Sequence, residues 1–312
     1  MRAVEYDRFG SPDVLELRDV PSPAPRVGEV LVAVKAAALN PKDSFIRKGR
    51  FRRLTGSKFP RRLGFDLSGV VRALGPQVTS LTVGDEVFGA LNGWQGGAVA
   101  EEVCVPATCL AKKPPGVSFE DAAALPIAAL TGLQALRDEA RAQPGQKVLL
   151  HGASGGVGGY AIQIARQLGL HVTTTSGAAN LERCRELGAH DARDYAANPW
   201  RPDDAFDVFF DIFGNQGFSR AARVLGPRGT FVSTVPSVRV VLQQALSFLT
   251  SRRARLIVVR ANTADLAQLG EWTRTGMLKP VIDRVLPLEQ VREGQAHVET
   301  KRARGKVVIR VA

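Results

Sequence analysis

Two textures of hydrophobic patterning divide the chain. Up to about residue 120, apolar positions come in short runs closed by turn signals. Glu29 to Val34 alternates, the period of a half-buried strand. Leu67 to Leu74, Asp85 to Phe88 and Gly97 to Val105 read as further strands, separated by Gly-Pro, Val-Gly-Asp and Asn-Gly sequences. This spacing predicts a compact, barrel-like β fold. Ser118-Phe119-Glu120-Asp121 then matches a capping box and predicts a long helix reaching Leu136. From Val148 onward the apolar runs no longer alternate. Phe206 to Ile212 is apolar apart from Asp207 and Asp211, and Gly229 to Val235 and Leu256 to Val259 are further strands. Helical stretches lie between and after them, around 219–225, 238–249 and 263–275. Strands without alternation, separated by helices, predict a parallel sheet buried on both faces. The tail reads as a strand (Val281 to Leu286), a short helix near 288–299 and a last strand (Lys306 to Val311), expected to rejoin the N-terminal part.

One stretch carries chemistry. The apolar run Val148-Leu149-Leu150-His151 leads straight into Gly152-Ala153-Ser154-Gly155-Gly156-Val157-Gly158. A helix follows, with Val157, Ala161, Ile164, Ala165 and Leu168 on one stripe, and a second strand, Val172 to Thr175, comes after Gly169. Strand, glycine turn, helix and strand form the context that a dinucleotide-binding fingerprint requires. Gly155 lets the backbone approach a pyrophosphate, and Gly158 lets the helix pack close to the strand. The free N–H groups of Ser154, Gly155, Gly156 and Val157 at the helix start are placed to hold phosphate oxygens. A tight turn in some other α/β protein is the alternative.

Composition narrows the classes. With 312 residues, 45% of them apolar, the chain can bury a sizeable core in two domains or one large one. No apolar stretch approaches the ~18 residues of a membrane span. Met1-Arg2-Ala3-Val4-Glu5-Tyr6-Asp7 lacks an apolar signal core, so a cytoplasmic protein without a membrane partner is expected. Three cysteines, Cys104, Cys109 and Cys184, make neither a disulfide framework nor a four-cysteine zinc site. The net charge is +12, and residues 47–62 hold eight Lys or Arg and no acid. Such a run reads first as a solvated basic face. The other readings are attraction of an anionic cofactor or substrate, and non-specific nucleic-acid binding, although only Phe45, Phe51 and Phe59 supply aromatic interleaving.

Several blocks, in order, resemble one family. They are Ala36-Ala37-Ala38-Leu39-Asn40-Pro41-Lys42-Asp43, Leu63-Gly64-Phe65-Asp66-Leu67-Ser68-Gly69-Val70-Val71 and Val83-Gly84-Asp85-Glu86-Val87-Phe88-Gly89. They continue with Ala124-Leu125-Pro126-Ile127-Ala128-Ala129-Leu130-Thr131, the 151–158 turn, Leu187-Gly188-Ala189, Asp194-Tyr195 and Gly305-Lys306-Val307-Val308. The chain resembles the medium-chain dehydrogenase/reductase superfamily, in its zinc-free quinone oxidoreductase (ζ-crystallin-like) branch. The resemblance implies an α/β chain with a GroES-like β-barrel-type catalytic domain and a Rossmann domain with a doubly wound parallel sheet. The catalytic domain is expected over 1–120, the Rossmann domain over 121–262, and a return segment completing the catalytic domain over 263–312. It also implies a site in the cleft between the domains, and a homodimer.

The resemblance extends to residues. Zinc-dependent relatives have a Cys near the position of Asn40 and Gly-His-Glu at Gly64-Phe65-Asp66, so Asn40 and Phe65 stand where ligands would be and no metal is expected. The implied chemistry is hydride transfer from nicotinamide to a quinone or to the β-carbon of an enone. Asn40 is expected beside the nicotinamide as an amide donor, or as an Asn-Pro turn residue. Thr131 is expected near the ring, or as a helix-interior threonine. Asp43 and Asp66 fit a structural role better than a catalytic one. Thr175-Ser176-Gly177-Ala178-Ala179 ends the second strand without the acid an NAD site wants. That favours NADPH, with NADH as a possible second cofactor, although Ala179 and Asn180 stand where relatives often have Lys or Arg. Ser176, Asn180, Arg183 and Tyr195 are the candidate phosphate contacts. Two other readings stay open: a zinc-free NAD(P)-dependent alcohol dehydrogenase-like enzyme, and a non-catalytic dinucleotide- or RNA-binding protein.

Overall fold

In the computed structural model, which describes residues 1–312 apart from 198, 202, 237, 248 and 249, the chain divides into two units. The first comprises residues 1–127, 260–276 and 280–312, the second residues 128–259 and 277–279. The first unit opens with strands β1 (Arg2–Tyr6), β2 (Glu16–Asp19) and β3 (Glu29–Leu39), helices α1 (Pro41–Arg47) and α2 (Arg52–Thr55), and strands β4 (Arg61–Arg62), β5 (Asp66–Leu74), β6 (Glu86–Ala90), β7 (Glu102–Pro106) and β8 (Leu110–Lys112). The eleven-residue β3 is its spine, paired antiparallel with both β5 and β7. Val30, Val32 and Val34 alternate inward as the sequence predicts, but Ala36 to Leu39 are buried on both faces. There α3 (Phe119–Ala124) lies on the sheet, with Ala123 and Ala124 against Ala36 and Ala38. The small alanine side chains let the helix come close, with Val308, Phe119 and Ile282 packed around them.

The predicted long helix from Ser118 is divided. The Ser118 side chain does accept the Asp121 N–H, as a capping residue should. Pro126 then starts a new helix, α4 (Pro126–Gln134), because proline has no N–H to continue the preceding one. The strand expected over 97–105 is confined to β7. β1 and β2, which the sequence reading passed over, form a separate three-stranded sheet with β4.

The second unit runs β9 (Lys147–His151), α5 (Gly156–Gln167), β10 (His171–Ser176), α6 (Leu181–Glu186), β11 (Asp191–Asp194), β12 (Phe206–Asp211), α7 (Phe218–Ala221), β13 (Leu225–Ser233), α8 (Val238–Ser247) and β14 (Arg253–Leu256). Residues 248 and 249 of the helix expected over 238–249 lie outside the described residues. The strands form one all-parallel sheet in the order β11-β10-β9-β12-β13-β14, the doubly wound arrangement in which strand order reverses between the first and fourth strands, here β9 and β12. Val148, Leu149 and Leu150 have no exposed surface, as expected of a strand covered on both faces. The last strand lies at 253–256 rather than 256–259. Val258 is exposed, while Ala254 is buried between two arginines whose charge masks the strand in the sequence.

The tail returns to the first unit through α9 (Thr263–Arg274), β15 (Ile282–Pro287), α10 (Val291–Glu299) and β16 (Lys306–Arg310). β16 pairs antiparallel with β3, Val307 opposite Leu39, so the tail lies on the same sheet as β3. Among the described residues, no helix is long and apolar enough to cross a membrane.

Candidate active site

Two sets of residues carry the chemistry, one in each unit. In the second unit, β9 ends at His151 and the chain turns through Gly152, at φ +84°, to Gly155, the N-cap of α5. The two later glycines of the turn differ. A Cβ on Gly158 would lie 2.4 Å from Ala153 O, so helix and turn pack too closely for any side chain. A Cβ on Gly155 would meet no other atom nearer than Gly152 O at 4.0 Å, so nothing in the protein requires glycine there. The residue keeps a space clear above the first turn of α5, where the N–H groups of Gly156, Val157 and Gly158 lack carbonyl partners within the helix. That cradle, at the point where strand order reverses, fits a dinucleotide pyrophosphate.

The loop after β12 lies beside the turn, with Phe213 against Gly152. The Asp211 carboxylate accepts the N–H groups of Gly214 (2.8 Å) and Gln216 (2.7 Å). Burial pushes its carboxyl up to about 6, against the pull of those N–H groups. Buried His151 stands within hydrogen-bond distance of Thr175 Oγ1 at Nδ1 (2.7 Å) and of Asn215 Oδ1 (2.9 Å) and Gln216 Nε2 (3.1 Å) at Nε2. Burial holds its pKa below the ordinary imidazole value. This side chain ties β9 and β10 to the loop. Sequence reasoning passed over His151, Asp211, Asn215 and Gln216 as site residues. The signal for Asp211 was its carboxylate closing an otherwise apolar strand.

Of the four candidate phosphate contacts, Ser176 ends β10, Tyr195 follows β11, and Asn180 and Arg183 lie at the start of α6 and within it. Ser176 is buried and its carbonyl accepts the Tyr195 N–H at 3.0 Å. Tyr195 is exposed and its ring edge stands beside Gly177. Asn180 closes a short turn before α6, which carries Arg183. Among the described residues, the buried oxygens Asn180 Oδ1 and Gln216 Oε1 have no hydrogen-bond partner. Buried acceptors are rarely left so, and both lie on the loops that follow the strands of this sheet.

In the first unit, β3 delivers Asn40 to the start of α1, where Pro41 occupies a position whose N–H has no partner in any helix. Asp43 Oδ2 reaches back to the Asn40 N–H at 2.6 Å, and its Oδ1 accepts the Gly64 N–H at 3.2 Å. Burial pushes the Asp43 carboxyl up to about 7, opposed by the Asn40 N–H and by the charges of Lys306 and Lys42. Asp66 has no exposed surface. Its Oδ1 accepts the Ile127 N–H at 2.9 Å, and its Oδ2 accepts from Asn40 Nδ2 at 3.0 Å and Lys306 Nζ at 2.8 Å. Lys306 Nζ also donates to Asn40 Oδ1 at 2.5 Å. Asn40, Asp43 and Asp66 are thus brought together, and the sequence reading did not anticipate their fourth member, Lys306. Thr131 is buried on α4, in the second unit.

The positions compared above with zinc ligands are already engaged. Asn40 Oδ1 is held by the Lys306 ammonium. Phe65 is buried, and Lys42 Nζ stands 3.8 Å from the centre of its ring while donating to Gly93 O at 2.6 Å. Burial pushes the Cys104 thiol up to about 11 and the Cys109 thiol upward as well, away from the thiolate that binds metal. Among the described residues, no group of three His, Cys, Asp or Glu is placed to hold a metal ion. The basic run is also partly engaged. Arg47 is buried on Glu299 and Gly10 O, Lys48 pairs with Glu299, Arg61 donates to the carbonyls of Thr55 and Gly56, and Arg62 pairs with Glu5. Arg50, Arg52, Arg53 and Lys58 of the run stay exposed.

Comparison with known proteins agrees with this architecture. Residues 26–115 match the alcohol dehydrogenase GroES-like domain family, and residues 187–309 match the family described as zinc-binding dehydrogenase. The chain is 38% identical to a 2-methylene-furan-3-one reductase of Solanum lycopersicum, over 99% of the chain and 79% of that protein. It is 35% identical to a chloroplastic NADPH-dependent alkenal/one oxidoreductase of Arabidopsis thaliana, again over 99% and 79%. A solved structure of the quinone oxidoreductase from Coxiella burnetii superposes with a TM-score of 0.93, at 32% identity over 100% of this chain and 99% of that one. With these likenesses running the length of both units, the chain belongs to the quinone oxidoreductase branch of the medium-chain dehydrogenase/reductase superfamily.

Proposed function

We propose that the protein is a zinc-independent, NADPH-dependent reductase whose acceptor is a quinone or an α,β-unsaturated carbonyl. The observation that carries this reading is the space kept clear at Gly155, above the helix start and at the reversal of strand order. The named activities of the tomato and Arabidopsis relatives support the acceptor class. Ser154, Gly155, Gly156 and Val157 would hold the pyrophosphate. Ser176, Asn180, Arg183 and Tyr195 would meet the 2′-phosphate, and the strand end without a carboxylate removes the group that favours NADH. When bound, the cofactor supplies a hydride. An enone gains that hydride at its β-carbon, its π electrons move to the carbonyl oxygen, and a proton from solvent completes the saturated product. A quinone gains a hydride and a proton to give the quinol. Negative charge gathers on the acceptor oxygen in either case, and an N–H donor there lowers the barrier. We assign that donor to Asn40, whose hydrogen towards Ala38 O, at 3.3 Å, is the more weakly held of its two. Thr131 is assigned to the nicotinamide side. A conjugated acceptor is electrophilic without a Lewis acid, which suits a site where Asn40 and Phe65 each stand against a lysine ammonium.

The test is NADPH and NADH oxidation against a panel of quinones, enones and saturated aldehydes, with and without a chelator. Reduction of quinones or enones, faster with NADPH and indifferent to chelation, is the expected result. Turnover of saturated aldehydes alone, or turnover abolished by chelation, would overturn the reading.

A further inference from the structure

The geometry points to Lys306 as a positioning residue that fixes which end of the Asn40 amide meets the acceptor. The inference rests on the reductase reading above. Lys306 opens β16, directly across from Asn40 in the register that sets Val307 opposite Leu39. Its side chain is 4% exposed, and that of Asp66 is 0% exposed. Such a pair is weak evidence for stability, because the desolvation of both charges offsets their attraction, and an apolar pair of similar size would often serve as well. What the pair does supply is direction. The two ends of an asparagine amide have nearly the same shape, so only their partners distinguish them. Here the ammonium of Lys306 stands at Oδ1, 2.5 Å away, and the carboxylate of Asp66 stands at Nδ2, 3.0 Å away. Opposite charges therefore hold the amide in one of its two orientations. The remaining hydrogen, on Ala38 O at 3.3 Å, is the one an acceptor oxygen can draw away. With the ammonium and the carboxylate both replaced by neutral groups, neither end keeps its charged anchor and the amide is free to turn over. It would then present an oxygen to an oxygen that is gaining negative charge.

Two variants separate this role from a structural one: Lys306→Met, and the charge-neutral double variant Asp66→Asn/Lys306→Met. Three quantities are read for each: the melting temperature, the NADPH dissociation constant by calorimetry, and kcat with the best quinone or enone. Lys306→Met alone buries an unpaired carboxylate and is expected to lower the melting temperature. The double variant should regain most of that stability and bind NADPH as the wild type does. Its kcat should nevertheless stay roughly 10- to 100-fold low, below the full loss seen when an oxyanion donor is deleted. A double variant with both stability and kcat restored to within about threefold would make Lys306 structural only and overturn the proposal, with the reductase reading intact. A wild-type protein that binds NADPH but reduces no acceptor would overturn the reductase reading, and this proposal with it.

Discussion

The polar cluster of the first unit and the strand ends of the second are satisfied to different degrees. In the first, both carboxylate oxygens of Asp43 and of Asp66 have donors, and both ends of the Asn40 amide have partners. In the second, Asn180 Oδ1 and Gln216 Oε1 are buried without partners, and Gly155 faces open space. A buried network that closes on itself holds its own geometry. A rim with orphaned acceptors and a side-chain-free wall is shaped for something that is not protein. One region presents a fixed instrument, the other a berth.

The sharpest way to break that contrast is Gly155→Val. No protein atom besides Gly152 O lies within 4 Å of the added Cβ, so the fold should persist while the side chain fills the pyrophosphate space. We expect NADPH binding to become unmeasurable by calorimetry with an unchanged circular dichroism spectrum. Retained affinity in a folded variant would mean that the open wall has another purpose.

The closed region should respond in stability. Asp66→Asn leaves the buried ammonium of Lys306 without its counter-ion, and breaking a buried pair in this way costs about 3–5 kcal/mol. Denaturant titration should show a loss of this order. A loss below about 1 kcal/mol would mean that water reaches the cluster.

A smaller effect concerns pH. The Asp43 carboxyl, pushed up to about 7 by burial, holds its proton better in the folded than in the unfolded chain. Its contribution to stability is complete below about pH 4, the ordinary value in an unfolded chain, and disappears as pH rises through about 7. The contribution amounts to at most about 4 kcal/mol, from roughly three pH units at 1.36 kcal/mol each. The melting temperature should therefore fall more steeply between these limits in the wild type than in Asp43→Asn. Equal slopes would show that Asp43 is charged in the fold across that range.

The smallest effect is at the rim. Arg183→Ala or Tyr195→Phe should weaken NADPH more than NADH by about tenfold, the worth of one charge-assisted hydrogen bond of about 1.5 kcal/mol. If both variants affect the two cofactors equally, neither side chain meets the 2′-phosphate.

How much of this was legible in the sequence follows from the range of each interaction. The strand, turn and helix from Val148 to Gln167 were readable because their signals are local: an apolar run, glycines at set spacing, a helical stripe. The same locality explains the misreadings. β14 was displaced because arginines flank its buried alanine, and the helix from Ser118 was run through a proline that divides it. Asp211 was visible as an exception in an apolar strand, yet its partners lie on a loop that the pattern leaves blank.

The sequence by itself determined the two sheet types, the glycine turn and the absence of a carboxylate after β10. Each follows from side-chain periodicity, or from a residue type at a fixed distance along the chain. Only the tertiary structure decided that Lys306 meets Asn40 and Asp66, 266 and 240 residues earlier, and that His151 and Asp211 brace one loop. A lysine at the start of a strand reads as an exposed charge. Strand register, which no local pattern encodes, places this one in the dry interior, where its charge must find a partner.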